Sequence, residues 1–325
     1  MRVVVIGATG HVGGYLVPRL VAAGHDVVAI SRGGAPHYRE DPAWSRVTTI
    51  VADREAEDAA GTFAARVADL GADVVIDMIC FGPESATQLV DALRGRVQQL
   101  VMCSTIWVKG TLAAVPAGES EGNQPWGDYG IGKAGIEDVL EAESRRSDGL
   151  RSTILRPGHI SGPGWHVINP VGNLDQRVWE ALAAGEELVV PGFGLETVHH
   201  VHADDVAQGF ERAVFREGGA VCERYNVVSE RALTLRGFAE LVARGFGSTA
   251  RLRYAPFAEF AESTTAEFAA TSYEHIARSH SMSIAKARDE LGYVPAYTSY
   301  EAVAEAVNWL RTHGQLDLGG RSLAI

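Results

Sequence analysis

The chain has 325 residues, of which 46% are hydrophobic and 22% are charged, and its formal net charge at pH 7 is -12. This composition is that of an ordinary globular protein, and the length predicts about two domains. The negative charge argues against a nucleic-acid surface, which needs a basic stripe, but an anionic small ligand can still bind at a helix N-terminus.

The cysteines and the apolar segments indicate the cellular compartment of the protein. Cys80, Cys103 and Cys222 are scattered, with neither metal spacing nor a disulfide framework, so they predict thiols in a reducing compartment. The apolar N-terminus is interrupted by glycines, and no run reaches the length of a membrane span. We therefore expect a cytoplasmic protein with neither a membrane nor a nucleic-acid partner.

The first half of the chain alternates strands with helices. β-Branched runs predict buried strands, and amphipathic segments between them predict helices. The strands are expected at 2–7, 26–31, 47–51, 73–79 and 98–104, and the helices at 12–24, 55–70 and 84–95. This alternation predicts an α/β fold with a Rossmann-type, doubly wound parallel sheet.

The regular alternation of strands and helices ends in the second half of the chain. A helix at about 128–147 and a strand at 151–157 are followed by "SGPGWHVINPVGN", which is typical of a long functional loop. Further on, a helix at 174–185 and strands in "ELVVPG", "HHVH" and "RYNVV" precede a mostly helical remainder. We expect a dinucleotide-binding domain at 1–160, rejoined by 198–228, and a smaller, interleaved C-terminal substrate domain formed mainly by 161–197 and 229–325.

The first strand runs into a glycine-rich turn that opens a helix. Such a turn lets a dinucleotide diphosphate approach the backbone and rest on the helix N-terminus. A glycine turn without a ligand is the alternative. The candidate cofactor contacts here are Gly7, Thr9, Gly10, His11, Val12 and Gly13.

The second and third strands bear on the choice of cofactor. NAD-binding folds carry an acidic residue after the second strand, whereas this chain has Ser31 and Arg32. A small neutral residue and a cation suit a 2′-phosphate, so we favour NADP over NAD, the alternative being that Arg32 is solvated. Asp53 is placed to meet the adenine amino group, or is an ordinary turn aspartate.

A tyrosine and a lysine lie four residues apart at the start of a predicted helix. The chain has nine tyrosines and three lysines, so about 0.1 such pairs are expected by chance. An ammonium ~5 Å away would lower the pKa of the phenol by about two, which favours proton transfer at neutral pH. Tyr129 and Lys133 are therefore candidate catalytic residues, with a structural helix pair as the alternative.

The ordered motifs resemble an extended short-chain dehydrogenase/reductase of the NAD-dependent epimerase/dehydratase family. They are "GATGHVGG", "CSTIWVKG", "YGIGK", "LRPGHISGPG", "HVHADDVA", "RYNVVSE" and "LGYVPAYTSYEAV". The resemblance implies that Thr105 hydrogen-bonds the reacting oxygen beside Ser104, and that Lys133 also binds the nicotinamide ribose. It further implies that Pro157 lies near the nicotinamide ring, that Ile79 lines the cofactor cleft, and that the protein is a homodimer packed through the Lys133 helix.

Four positions depart from that pattern. Dehydratases of the family carry Asp-Glu where this chain has Ile106 and Trp107, so the elimination step of those enzymes is not expected. Nucleotide-sugar epimerases tend to carry Asn at His159 and Arg at Val198, both of which normally contact the diphosphate. These differences allow a free sugar, a glycoside or another polyhydroxylated alcohol as the substrate.

Histidines and one aspartate invite other interpretations. His199, His200 and His202 suggest a metal, but nothing at metal spacing completes a site, and we expect none. Ser104, His159 and His200 are candidate substrate contacts. Asp77, buried in the strand pattern, is expected to be a paired structural residue, with a site role as the alternative.

The leading functional hypothesis is an NAD(P)-dependent epimerase that oxidises a sugar-like secondary alcohol to a transient ketone and reduces it again. The runner-up is an NADPH-dependent ketoreductase or alcohol dehydrogenase with exchangeable cofactor. A non-catalytic dinucleotide sensor is a third possibility, disfavoured because a sensor does not need a tuned base.

Overall fold

The central element is a parallel sheet. In the computed structural model, which describes residues 1–34, 39–214 and 221–325, this sheet has seven strands in the order β11-β6-β5-β4-β1-β2-β3. The strands of the chain are β1 (Arg2–Ile6), β2 (Asp26–Ser31), β3 (Thr48–Val51), β4 (Val74–Asp77), β5 (Gln99–Cys103), β6 (Ser152–Pro157), β7 (His159–Ser161), β8 (Glu187–Pro191), β9 (Thr197–Val198), β10 (His200–His202), β11 (Cys222–Val227), β12 (Leu233–Thr234) and β13 (Arg251–Ala255).

Helices cover both faces of this sheet. They are α1 (Gly13–Ala22), α2 (Arg54–Ala59), α3 (Phe63–Ala68), α4 (Pro83–Leu93), α5 (Asp128–Ser144), α6 (Arg177–Ala184), α7 (Ala203–Val214), α8 (Leu235–Gly245), α9 (Phe257–Glu262), α10 (Ala266–Ile276), α11 (Ala285–Leu291) and α12 (Ser299–Thr312). The core that contains α1 and α7 lies on one face, and the core that contains α3, α4 and α5 lies on the other. The predicted α/β, Rossmann-type, doubly wound fold is confirmed.

One predicted helix is wrong. The pattern at 55–70 indicated a single helix, but the structure has α2 and α3 with a break between them. Gly61 takes a φ of +67° there, a left-handed conformation that ends a helix.

A second apolar core lies away from the sheet. It packs α6, α8 and α12 around Trp179 and Phe238, whose ring centroids are 6.1 Å apart. Two short strand pairs, β8 with β13 and β9 with β12, belong to this part of the chain, whereas β11 returns to the main sheet and pairs with β6. None of the helices in the described ranges is both long enough and apolar enough to cross a membrane.

Candidate active site

A cavity of about 820 Å³ lies where the sheet strands end at their carboxyl side. It brings together most of the site residues that the sequence predicts. Those in its wall are Gly7, Gly10, His11, Val12, Gly13, Ile79, Ser104, Thr105, Tyr129, Lys133, Pro157 and His159. Those outside the wall are Thr9, Ser31, Arg32, Asp53 and His200.

The turn after β1 is a cradle that only glycine can form. Gly7 has a φ of +86°, and a Cβ on Gly13 would lie 2.1 Å from the carbonyl oxygen of Ala8. This close approach sets the N-terminus of α1 against the end of β1, where the first helical amides have no partner within the helix. The geometry fits a dinucleotide diphosphate.

Helix α5 carries the tyrosine and the lysine into the cavity. Lys133 is buried, and its Nζ donates a hydrogen bond to the carbonyl oxygen of Cys103 at 2.7 Å. The same Nζ lies 5.8 Å from the ring centroid of Tyr129 and 4.9 Å from that of Phe81. The lysine therefore links α5 to the end of β5, beside the tyrosine.

The expected lowering of the pKa of Tyr129 is wrong for this structure. Burial of the phenol in the cavity wall raises its pKa and Cys103 adds to the rise, whereas a hydrogen bond with the Thr105 side chain acts in the opposite direction. The residue as a whole remains 44% exposed. Desolvation outweighs the effect of Thr105, so the pKa of the phenol lies above its ordinary value in this structure.

Thr105 and Ser104 follow β5 directly. The Thr105 Oγ1 accepts a hydrogen bond from the amide of Trp107 at 3.3 Å, which caps a short 3-10 helix at Ile106–Lys109. The Ser104 hydroxyl donates to the buried carboxylate of Glu137 at 2.5 Å. Arg156 donates to the same carboxylate, so Ser104 is attached to a buried ion pair beneath the cavity.

The residues proposed to bind the adenosine end of the dinucleotide cofactor lie at the ends of β2 and β3. The amide of Gly7 donates to the carbonyl of Ile30 at 2.9 Å, which brings the glycine turn next to the end of β2. Ser31 is buried and Arg32 is exposed. Asp53 is exposed and caps α2 by accepting a hydrogen bond from the amide of Ala56 at 3.2 Å.

The structure separates the two histidines proposed to meet substrate. His159 lies in the cavity wall, whereas His200 is fully buried and bonds through Nδ1 to the hydroxyl of Ser161 at 2.9 Å. His199 and His202 are also buried: the Nδ1 of each accepts from a backbone amide. Within the described ranges, no group of three potential metal ligands is found.

Asp77 is a paired structural residue at the end of β4. Its side chain is fully buried, and its two oxygens accept hydrogen bonds from Nη1 of Arg54 at 2.6 and 2.7 Å. One oxygen also accepts from the amide of Ile79 at 3.0 Å. The pair therefore holds the loop that brings Ile79 to the cavity.

Several wall residues were missed by the sequence analysis. They are Phe81, Trp165, Ile168, Leu174, Thr271 and His275. His275 is on α10, and its ring centroid lies 5.0 Å from that of His159 and 5.1 Å from that of Trp107. Nothing in the sequence near His275 marks it, because its partners come from distant segments.

Trp165 connects the loop after β7 to the glycine turn. Its ring stacks on His11 with centroids 5.4 Å apart and planes 7° from parallel. The backbone of Gly162 and Pro163 also lies near this ring and acts to raise the pKa of His11. The loop that the sequence marked as functional is thus packed on the turn at which α1 begins.

Comparison with known proteins decides the family. Residues 3–227 match the model of the NAD dependent epimerase/dehydratase family. The chain belongs to this family. It is an enzyme family of the extended short-chain dehydrogenase/reductase type, and the recognition made from the motifs is confirmed.

Individual relatives have different names. The chain is 26% identical to the UDP-glucose 4-epimerase of Mycolicibacterium smegmatis, over 97% of this chain and 100% of the relative. It is also 26% identical to the chloroplast stem-loop binding protein of 41 kDa b of Arabidopsis thaliana, over 94% of this chain and 78% of the relative. Other family relatives are named as sugar reductases.

The fold matches those of solved structures of the family. One is MoeE5 in complex with UDP-glucuronic acid and NAD, with a TM-score of 0.72, 20% identity, and coverage of 96% of this chain and 100% of that one. At this identity the match shows the fold alone.

Proposed function

We propose that this protein is an NAD(P)-dependent oxidoreductase that epimerises a secondary alcohol of a sugar-like substrate through a transient ketone. One observation carries the proposal. Tyr129 shares a cavity with Thr105, Lys133 and the glycine turn. The wall therefore combines a proton-transferring phenol with a cradle for a dinucleotide.

Each residue has a distinct part in this proposal. A nicotinamide dinucleotide, when bound, supplies a reversible hydride acceptor. The Tyr129 phenol exchanges a proton with the reacting oxygen, and Thr105 holds that oxygen and the phenol in line. Lys133, fixed by the Cys103 carbonyl, offers its other N–H groups to the ribose. Ile79 and Pro157, which lie in the cavity wall, would give the nicotinamide ring of the cofactor an apolar contact.

The bound nucleotide provides the test. Protein purified without added cofactor would be denatured, and the released nucleotide identified and quantified. Near-stoichiometric NAD or NADP is expected, because an epimerase regenerates its cofactor at every turnover. A protein that carries no nucleotide but binds NADPH from solution would instead favour the second candidate function, a ketoreductase or alcohol dehydrogenase. The positive charge of Arg32 supports that candidate because it suits the 2′-phosphate of NADPH.

Within this proposal NADP is the preferred cofactor, and Arg32 is the residue that selects it. Arg32→Ser is expected to weaken NADPH binding about tenfold, since a phosphate contact worth ~1.4 kcal/mol is lost. NADH affinity should not change. Both would be measured by calorimetry, with Arg96→Ser as the control, because Arg96 precedes β5 and so lies at the amino ends of the parallel strands, away from the carboxyl ends that face the cavity. Equal weakening of NADH and NADPH would contradict the assignment.

The proposal includes a homodimer and a substrate domain. We propose that α4 and α5, which pack side by side, form the dimer contact, where Ile131 is 55% exposed. Residues 161–197 and 229–325 would supply most of the substrate-binding portion. Light scattering should give about twice the chain mass of 34.7 kDa. A mass equal to that of one chain would exclude the dimer.

A further inference from the structure

The cavity wall carries almost no charge. Among its described residues, Lys133 is the only aspartate, glutamate, lysine or arginine. The ammonium of Lys133 donates a hydrogen bond to the Cys103 carbonyl at 2.7 Å. Val198, where related nucleotide-sugar enzymes tend to carry arginine, is fully buried in the second apolar core. The described wall thus offers a ligand one ammonium, that of Lys133, one exposed imidazole, that of His166, and no carboxylate.

The buried histidines of this wall are neutral at physiological pH. Burial lowers the pKa of His275 to about 4 and that of His11 to about 4. Burial, together with repulsion from His275, His200 and His280, holds the pKa of His159 well below its ordinary value. These imidazoles therefore provide hydrogen-bonding groups without charge.

His159 and His275 have the same tautomer. The Nδ1 of His159 lies 3.2 Å from the carbonyl of His199, and the Nδ1 of His275 lies 2.7 Å from the carbonyl of Thr271. A carbonyl only accepts, so in each neutral ring Nδ1 carries the proton and Nε2 is an acceptor. For His159, this Nε2 is buried and has no hydrogen-bond partner among the described residues.

The rest of this wall is suited to the faces of a sugar ring. Phe81, Trp107, Trp165 and Ile168 present aromatic and aliphatic surface, and Phe81 is 62% exposed. Aromatic faces pack on the C–H faces of sugars while flanking acceptors bind the hydroxyl groups. The two imidazole centroids, 5.0 Å apart, allow neighbouring hydroxyls to be bound together.

From these observations we propose that the cavity binds an uncharged polyhydroxylated substrate, a neutral sugar or glycoside, and that Nε2 of His159 and Nε2 of His275 each accept a hydrogen bond from one of its hydroxyl groups. The inference rests on the proposed oxidoreductase function and narrows its substrate class. Away from the glycine turn, a phosphate, carboxylate or ammonium against the histidine and aromatic side of this wall meets no carboxylate and, apart from Lys133, no lysine or arginine, and burying an unpaired charge is costly.

A matched set of glycosides tests the charge requirement. The probes are methyl β-D-glucopyranoside, its 6-carboxylate and its 6-ammonium analogue, together with UDP-glucose. Binding to NADPH-saturated protein at pH 7.5 would be measured by ligand-observed NMR, a condition in which the alcohols cannot be oxidised. We expect the neutral glycoside to bind at least tenfold more tightly than each charged probe. Equal or tighter binding of a charged probe, or no binding of the neutral one, would overturn the proposal.

Two variants of His275 test whether its Nε2 accepts a hydrogen bond from the substrate. His275→Phe keeps an aromatic ring but lacks Nε2, and is expected to weaken binding of the neutral glycoside at least fivefold, whereas His275→Gln, which restores an acceptor, recovers most of the affinity. His313→Phe, at the exposed end of α12, is the control. NADPH affinity and melting temperature should not change, which separates substrate recognition from a structural role.

The outcomes separate the two proposals. Unchanged glycoside affinity in His275→Phe overturns the hydroxyl assignment even if the enzyme transfers hydride. The proposed hydride-transfer function is tested separately, by substituting Tyr129. The result of that test does not depend on whether the cavity binds a charged or an uncharged substrate.

Discussion

Tyr129→Phe is expected to lower turnover by about 10³-fold, because general acid–base catalysis by a positioned side chain contributes roughly 10²–10⁴-fold. The phenol is the proton-transferring group that the cavity offers beside Thr105, and phenylalanine keeps the ring contact with Trp107, whose centroid lies 5.7 Å from that of Tyr129. Cofactor affinity should therefore be nearly unchanged. The measurement is the transient change in absorbance at 340 nm as hydride moves to the bound cofactor within a single turnover, together with the NADPH dissociation constant.

Tyr273→Phe is the matched control for this substitution. Tyr273 is 52% exposed on α10 and lies outside the cavity wall, so loss of its hydroxyl should leave turnover unchanged. Persistent turnover in Tyr129→Phe would show that another group moves the proton. A large fall in NADPH affinity would show instead that the tyrosine acts mainly in binding.

Gly13→Ala should remove dinucleotide binding, whereas Gly14→Ala should not. The new Cβ at position 13 would lie 2.1 Å from the carbonyl oxygen of Ala8, an atom of the backbone that cannot rotate away. Nothing lies within 4 Å of a Cβ at position 14, and alanine favours a helix over glycine. The substitution at position 13 must push α1 away from the end of β1.

The expected effect at Gly13 is an NADPH affinity about 100-fold weaker, equivalent to ~2.7 kcal/mol. A loss of stability at the upper end of the ~1–3 kcal/mol typical of overpacking should accompany it. Gly14→Ala should keep both quantities, or gain slightly in stability. Calorimetric titration with NADPH and thermal melting check the pair; equal affinities in the two variants would mean that the turn does not hold the dinucleotide.

The features that the sequence predicts well are local ones. The β-branched strands, the glycine turn and the four-residue spacing of Tyr129 and Lys133 each depend on residues within one turn or strand. The break at Gly61 was equally local, and a glycine inside a helical pattern was the signal for it. The expected sign of the pKa change at Tyr129 failed because desolvation and the neighbouring Cys103 side chain, which raise this pKa, depend on the folded surroundings.

The features that the sequence could not predict join distant segments. His275 of α10 contacts His159 of β7, and Arg54 of α2 pairs with Asp77 of β4, in both cases across a long separation along the chain. Strands of two or three residues, such as β9 and β10, carry too short a pattern to specify their partners. These contacts follow from tertiary packing and not from periodicity.

The pairing of β11 with β6 has a consequence for how the molecule is built. While the chain is being synthesised, β6 leaves the ribosome long before β11, so the backbone groups on one side of β6 stay unpaired until Cys222–Val227 arrives. An open strand edge is a template for association with other chains. A fragment cut at residue 160 would keep that edge, because Cys222–Val227 supplies the strand that covers it.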